Sequence, residues 1–101
     1  MEHITARELK NRIDAGEAVH LLDVREPDER AEYNIGGYFL PLGEVMAMQT
    51  EGIEGWKNEE VVVYCRSGKR SLQAAMMLET MGFSNVKNLD GGVLAWKELQ
   101  P

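Results

Sequence analysis

The chain has 101 residues, of which 44% are hydrophobic and 28% are charged, and its formal net charge is -6 at pH 7. This composition is typical of a globular protein, and the length suits one domain with one core over residues 1–101. The acidic balance argues against nucleic-acid binding, which needs a basic face, and no apolar run approaches the roughly 20 residues that a membrane span needs.

The N-terminal half is predicted to alternate helices and strands. Thr5 to Glu8 have the form of a capping box, which predicts a helix that ends near residues 14–16. Pro27 suits the first turn of a second, short helix. The predicted elements of this half are the helix after Thr5, a buried strand over 19–24, a short helix over 28–33, a short strand within 35–40, a weak helix over 42–48 and a loop over 49–58.

The C-terminal half continues this alternation. Residues 61–64 are a β-branched run that predicts a buried strand, and Ser71 opens a helix predicted over 72–81. Its apolar residues form two stripes, so its methionines are expected to fill the core. A short strand over 86–89 and a helix over 93–99 close the chain. The pattern predicts an α/β fold in which helices cover both faces of a small parallel-stranded sheet.

The only cysteine lies between the predicted strand 61–64 and the helix that follows. In open α/β sheets this edge is where ligands bind. Unpaired N–H groups at a helix start carry partial positive charge, which favours a thiolate and any anion beside it. The five residues after Cys65 add three cations and a glycine that allows a positive φ: Arg66, Ser67, Gly68, Lys69 and Arg70. We therefore predict an anion-binding nucleophile whose pKa lies below the ordinary value of ~8.5.

A purely structural interpretation of Cys65 competes with this functional one. A single cysteine in a small intracellular domain is most often a buried apolar residue. The cationic flank favours the functional interpretation, and a cysteine that follows a strand is expected at the rim of the fold. One cysteine allows no internal disulfide, and Met1–Thr5 lacks a basic and apolar leader. A cytoplasmic location is therefore the default expectation.

Three separate blocks resemble the rhodanese domain family. Residues 22–29 (Leu-Asp-Val-Arg-Glu-Pro-Asp-Glu) are similar to its Asp-Val-Arg-x-x-x-Glu signature, and residues 65–70 resemble its active loop. Residues 89–96 are similar to its Gly-Gly-x-x-x-Trp ending. The blocks stand in the right order and span nearly the whole chain, so the chain resembles a single-domain member. One departure lies at residues 33–38, where the histidine and proline of a common Gly-His-Ile-Pro-Gly-Ala stretch are missing.

The resemblance implies a sulfurtransferase that acts without a cofactor or metal. Cys65 would take the sulfane sulfur of a small anionic donor such as thiosulfate and become a persulfide. An external thiol, on a protein or a small molecule, or cyanide would then collect the sulfur. The donor would be bound by the rest of the loop, which comprises Arg66, Ser67, Gly68, Lys69, Arg70 and Ser71. Asp23 and Arg25 are expected to hold neighbouring loops together rather than to touch sulfur.

Two other function classes stay open. A cysteine phosphatase or arsenate reductase also wraps an oxyanion after a strand, but its loop has five residues between cysteine and arginine. Four residues separate Cys65 from Arg70, and the resemblance associates this shorter loop with sulfur. The third class is a non-catalytic rhodanese-like binding module, against which the retained cysteine and cations weigh.

Overall fold

Short apolar runs that alternate with helices build an α/β fold in this chain. The computed structural model describes residues 1–99. The strands of this part are β1 (Glu2–Ile4), β2 (His20–Asp23), β3 (Tyr38–Phe39), β4 (Glu60–Tyr64) and β5 (Asn85–Leu89). Its helices are α1 (Ala6–Asp14), α2 (Pro27–Glu32), α3 (Leu42–Met46), α4 (Lys69–Thr80) and α5 (Gly92–Glu98), with a 3-10 helix over Glu51–Trp56.

The five strands form one parallel sheet in the order β1-β5-β4-β2-β3. In this register Asp23 of β2 lies beside Tyr64 of β4, and Ile4 of β1 lies beside Leu89 of β5. Because all strands run in one direction, their carboxyl ends meet at one edge of the sheet. The chain segments after β2, β4 and β5 therefore lie side by side at that edge.

Alternation along the central strands divides the core into two layers. Val61, Val63 and Cys65 face α3 and α4, and the side chains buried with them include Leu22, Val45, Ala74, Leu78 and Val86. Val62 and Tyr64 face α1 and α5, and the side chains buried with them include Ile4, Leu9, Leu21, Leu89 and Trp96. Helices thus cover both faces of a parallel sheet, which confirms the predicted α/β architecture.

Local signals placed the helix boundaries well in the first half of the chain. The Thr5 hydroxyl accepts a hydrogen bond from the Glu8 N–H, and the Glu8 carboxylate accepts one from the Thr5 N–H, both at 3.0 Å. This confirms the predicted capping box of α1. Pro27 is the first residue of α2, as predicted. Within residues 1–99, no helix combines the length and the apolar character that crossing a bilayer requires.

The structure departs from the predicted elements at three places. Strand β1 was not predicted, because three residues are too short for a periodic signal. Helix α4 begins at Lys69 rather than at Ser71, because Gly68 serves as its N-cap. Of the second predicted stripe on α4 only Ala75 is buried, whereas Met76 is 57% exposed and Leu72 is 36% exposed. The sheet supports one side of this helix, so the second stripe faces solvent.

Candidate active site

Cys65 directly follows β4 and faces the start of α4. Its residue is 1% exposed and belongs to the core layer under α3 and α4. The expectation that it lies at the rim was therefore wrong: the sulfur is enclosed by its own loop. The purely structural interpretation of Cys65 also required burial, but the polar contacts of its sulfur distinguish Cys65 from an inert core cysteine.

Backbone N–H groups of the loop point at the sulfur. Gly68 N–H donates to Cys65 Sγ over 3.1 Å, and Ser71 N–H donates over 3.3 Å. Ser71 Oγ lies 3.4 Å from Sγ. Burial alone would raise the pKa of the Cys65 thiol, but hydrogen bonds from the Ser71 side chain and from the Ser71, Gly68 and Ser67 backbones outweigh it and lower the pKa. The loop therefore favours an anionic sulfur in a buried position.

Gly68 makes this arrangement possible through its backbone. Its φ of 101° lies in the left-handed region, which confirms the predicted positive φ. A Cβ added there would lie 3.3 Å from the Gly91 N atom and 3.5 Å from the Leu89 carbonyl oxygen. The loop thus packs closely on the turn after β5.

The start of α5 binds the other side of the loop backbone. Val93 N–H donates to the Cys65 carbonyl over 2.9 Å, and Leu94 N–H donates to the Arg66 carbonyl over 3.0 Å. With its carbonyls bound to α5, the loop turns its own N–H groups toward the sulfur. A Cβ on Gly92 would lie 2.3 Å from the Cys65 carbonyl oxygen, so only glycine fits this contact. This contact explains Gly92, whereas a Cβ on Gly91 would lie 2.6 Å from the Cβ of Ala95.

The three cations of the loop do not share one environment. Arg70 donates two hydrogen bonds to Glu29 of α2, over 2.7 and 2.8 Å. This pair lowers the pKa of Glu29 to about 2. Within residues 1–99, Arg66 and Lys69 are exposed and take part in no ion pair. The expected positive loop is therefore offset in part by Glu29, which sequence reasoning had not assigned to the site.

A cleft of about 110 Å³ reaches the loop at Arg66. The apolar side chains of Val93 and Leu94 line part of it, and the charges around it have both signs. The remaining residues that line it are Arg25, Glu29, Glu32, Tyr33 and Lys97.

Asp23 and Arg25 tie together the loops beside the site. Arg25 donates to both carboxylate oxygens of Asp23 over 2.9 Å and to the Tyr33 carbonyl over 2.7 Å. Arg30 donates to Asp23 over 3.1 Å and to the Gly37 carbonyl over 2.9 Å. In the described residues neither Asp23 nor Arg25 forms a hydrogen bond with Cys65. Their contacts are those expected of supporting residues.

The segment that departs from the family pattern is held by side chains from elsewhere in the chain. Tyr64 Oη donates to the Gly36 carbonyl over 2.8 Å, and the Asn34 side chain accepts from the Gly36 N–H over 2.9 Å. The arginine bonds to Tyr33 and Gly37 complete its support. The missing histidine and proline therefore leave a turn that is fixed by other contacts.

Ser71 lies deeper than its predicted substrate-binding role implies. It is fully buried, and its hydroxyl donates to Asn88 Oδ1 of β5. Asn88 also donates to the Gly68 carbonyl over 3.2 Å. No motif pointed to Asn88, since an isolated Asn in a short strand carries no distinctive pattern. Within residues 1–99, no three His, Cys, Asp or Glu side chains are grouped so that they could hold a metal ion.

Comparisons with known proteins agree on one family. The family model described as "Rhodanese-like domain" matches residues 5–99. A sulfurtransferase of Allochromatium vinosum is 37% identical over 97 residues, which cover 95% of this chain and 88% of that protein. The crystal structure of a rhodanese-like domain protein from Staphylococcus aureus superposes with a TM-score of 0.81 at 31% identity, covering 95% of this chain and 91% of that one.

Several curated relatives are much longer than the chain, which spans about a quarter to a half of their length. The protein named "Probable adenylyltransferase/sulfurtransferase MoeZ" of Mycobacterium tuberculosis is 36% identical over 100 residues. The match covers 97% of this chain but only 25% of that protein. The chain therefore corresponds to one part of this relative and to nearly all of the Allochromatium protein.

Proposed function

The chain belongs to the rhodanese-like domain family, and on this premise we propose that residues 1–101 act as one sulfur-transfer domain. The proposed reaction moves a sulfane sulfur from an anionic donor, with thiosulfate as the model donor, to a thiophilic acceptor through a persulfide at Cys65. One observation carries the proposal, namely the pair of N–H groups, from Gly68 and Ser71, aimed at Cys65 Sγ. Such a cradle suits a sulfur that stays anionic on both sides of a transfer.

The first step loads the sulfur. The Cys65 thiolate attacks the outer sulfur of thiosulfate, the bond from that sulfur to the sulfonate group breaks, and sulfite leaves with the electron pair. The product is the anionic persulfide Cys65–S–S⁻. Three negative charges enter the step and three leave it, so it requires no proton or redox partner.

The second step unloads the sulfur. An acceptor thiolate or cyanide attacks the outer sulfur of the persulfide, and the Cys65 thiolate leaves. Covalent catalysis of this kind divides one transfer into two displacements at a single nucleophile. Cys65 is the only cysteine in the chain, so the acceptor must be supplied from outside. A small thiol or a protein thiol would satisfy this chemistry, and neither step uses a cofactor.

The loop supplies the proposed binding groups for the donor. Arg66 and Lys69 are exposed beside the buried sulfur and would attract a small dianion, while Arg70 stays paired with Glu29. Ser67 and Gly68 would contribute backbone N–H groups. A reducing compartment such as the cytoplasm suits a mechanism that depends on one free thiol.

Loading with isotopically marked sulfur tests the proposal. The reduced protein is incubated with thiosulfate that is labelled only in its outer sulfur, and in parallel with 3-mercaptopyruvate and with glutathione persulfide. We expect the intact mass to increase by one labelled sulfur, located in the Cys65 peptide. Cyanide should then restore the original mass and release labelled thiocyanate. An unmodified Cys65 with all three donors at saturation would reject the proposal.

The control is Cys65→Ser, which should show no mass gain. We expect this variant to fold, because the serine oxygen can accept the same two N–H groups; circular dichroism and thermal unfolding check this. Hydrolysis of an aryl phosphate that is lost in Cys65→Ser, together with no sulfur loading, would instead favour the phosphatase class.

A further inference from the structure

Asn88 is a buried polar side chain on the same side of the sheet as Cys65. It is 4% exposed, it lies beside Val63 of β4, and it shares a face of β5 with Val86. An amide in such a place is costly unless its polar atoms are paired. Both ends of this amide are paired, and both partners belong to the loop that surrounds the sulfur.

The partners determine how the amide is oriented. Asn88 Nδ2 faces the Gly68 carbonyl oxygen over 3.2 Å, and that oxygen can only accept a hydrogen bond. Oδ1 is therefore the atom that faces Ser71, and the Ser71 hydroxyl must donate to it. This leaves a lone pair of Ser71 Oγ directed at Cys65 Sγ, 3.4 Å away, as the acceptor of the thiol proton.

We propose that Asn88 is a positioning residue for the sulfur of Cys65 and acts through the Ser71 hydroxyl and the Gly68 carbonyl. Ser71 is fully buried, so its hydroxyl serves the sulfur rather than a donor anion outside the loop. The inference rests on the proposed function only in that the sulfur held in this way is the one that carries the persulfide.

The hydroxyl of Ser71 needs such a partner because of its place in α4. A serine in a helix can turn its hydroxyl to a backbone carbonyl three or four residues earlier, which here would draw it away from the sulfur. Asn88 offers a competing acceptor that keeps Oγ beside Sγ. When the thiol loses its proton, rotation about the Cβ–Oγ bond of Ser71 is enough to turn the hydroxyl toward the thiolate. The bond to Gly68 holds the amide in place during this change.

The charged groups around the loop are separate from this network. Arg70 of α4 is bound by Glu29 of α2, which is the main reason why the pKa of Arg70 is raised, and the charge of Cys65 raises it further. Helix α5 contacts the loop through backbone N–H groups, which carry no net charge. Substitutions of Asn88 leave all of these groups in place, so a shift in the ionisation of Cys65 would report on the neutral network.

The test measures the pH profile of iodoacetamide alkylation at Cys65, with ultraviolet absorbance of the thiolate as a second readout. Since Cys65 is the only cysteine, the signal is specific. We expect Ser71→Ala to raise the midpoint by about one pH unit, because it removes the hydroxyl that turns toward the thiolate. We expect a similar rise in Asn88→Ala, because the Ser71 hydroxyl can then bond within α4, away from the sulfur, and the Gly68 carbonyl loses the bond that holds the loop. The double variant should raise it by clearly less than the sum of the two. An unchanged midpoint in Asn88→Ala, or strict additivity, would overturn the proposal.

Val86→Ala is the matched control, because Val86 is 2% exposed on the same face of β5. It should lower stability and leave the midpoint in place; a shift equal to that of Asn88→Ala would attribute the effect to lost packing and overturn the proposal. Should Asn88→Ala fail to fold, Asn88→Leu keeps the size of the side chain, adds no charge and removes both polar atoms. It should raise the midpoint by about one unit as well, and an unchanged value would again overturn the proposal.

Alkylation needs no sulfur donor, so the two proposals can fail separately. A shifted midpoint without sulfur loading in the wild type would reject the sulfurtransferase and keep the role of Asn88. Normal loading with an unchanged midpoint in the variant would reject the role of Asn88 alone.

Discussion

At the scale of single residues, Cys65 combines two properties that usually exclude each other. Its residue is 1% exposed, and burial by itself opposes ionisation of a thiol. The hydrogen bonds of the loop outweigh that effect and lower the pKa of the thiol. The neutral donors closest to sulfur therefore account for the lowered pKa, and in the proposed reaction the exposed cations would attract the donor anion.

This division predicts different effects for the two groups. Arg66→Ala and Lys69→Ala should each raise the KM for thiosulfate about two- to fivefold, because each removes one exposed charge from the path of a dianion. The alkylation profile of Cys65 should stay the same in both. Steady-state kinetics at fixed ionic strength measure the KM.

Arg7→Ala is the matched control for those variants, since Arg7 is an exposed cation on α1. Its KM should equal that of the wild type. Equal KM values for Arg66→Ala, Lys69→Ala and Arg7→Ala would mean that the loop cations do not bind the donor.

At the scale of elements, the pair of Glu29 and Arg70 joins α2 to α4. The hydrogen bonds from Arg70 are the main reason why the pKa of Glu29 falls from 4.5 to about 2. The same carboxylate accepts a hydrogen bond from the Glu26 N–H over 3.0 Å at the start of α2. One side chain thus caps a helix and holds a cation of the active loop.

The depressed pKa has a defined consequence for stability. A carboxylate of lower pKa in the folded state adds stability above the ordinary value of 4.5, and this contribution is lost as the pH falls toward about 2. Glu29→Gln should therefore reduce the free energy of unfolding by roughly 1 kcal/mol at neutral pH. The difference from the wild type should shrink as the solution is acidified. Urea unfolding at a series of pH values measures it.

Glu32→Gln removes an exposed carboxylate from the same helix without breaking the link to Arg70, and it is the control for Glu29→Gln. A constant difference between Glu29→Gln and the wild type across the acid range would show that the pair does not stabilise the fold.

At the scale of the whole molecule, the first and last strands within residues 1–99 lie side by side in the sheet. Strand β1 pairs with β5, and Asp90 N–H donates to the Ile4 carbonyl over 2.9 Å. Ile4 is 4% exposed and packs in the core layer with Leu89 and Trp96. The first residues therefore support the strand that carries Asn88 and leads to α5.

Truncating the buried side chain of β1 should destabilise the fold. Ile4→Ala is expected to lower the free energy of unfolding by about 2 kcal/mol, because it deletes buried apolar groups at the edge of the core. Glu2→Ala, which truncates an exposed residue of the same strand, should change it by less than about 0.5 kcal/mol. Urea unfolding compares the two, and equal losses would mean that β1 contributes little packing.

Local signals in the sequence determined much of this protein. The capping box of α1, the proline at the start of α2, the β-branched run of β4 and the positive φ of Gly68 each depend on a few consecutive residues, and each was predicted. The alternation of strands and helices predicted the parallel sheet, and the resemblance in three blocks led to the family. Around Cys65, the sequence predicted the groups that its own loop supplies and not those that come from other elements.

The remaining contacts depend on which distant residues the strand register brings together, so only the tertiary structure decided them. The register of β4 and β5 places Asn88 beneath Ser71, and the packing of α2 against the loop gives Arg70 its carboxylate. Three residues of β1 gain their structure only from β5, and the position of α4 on the sheet decides that Met76 faces solvent. Short-range patterns contain no information on such contacts, since the partners are separated by many residues along the chain.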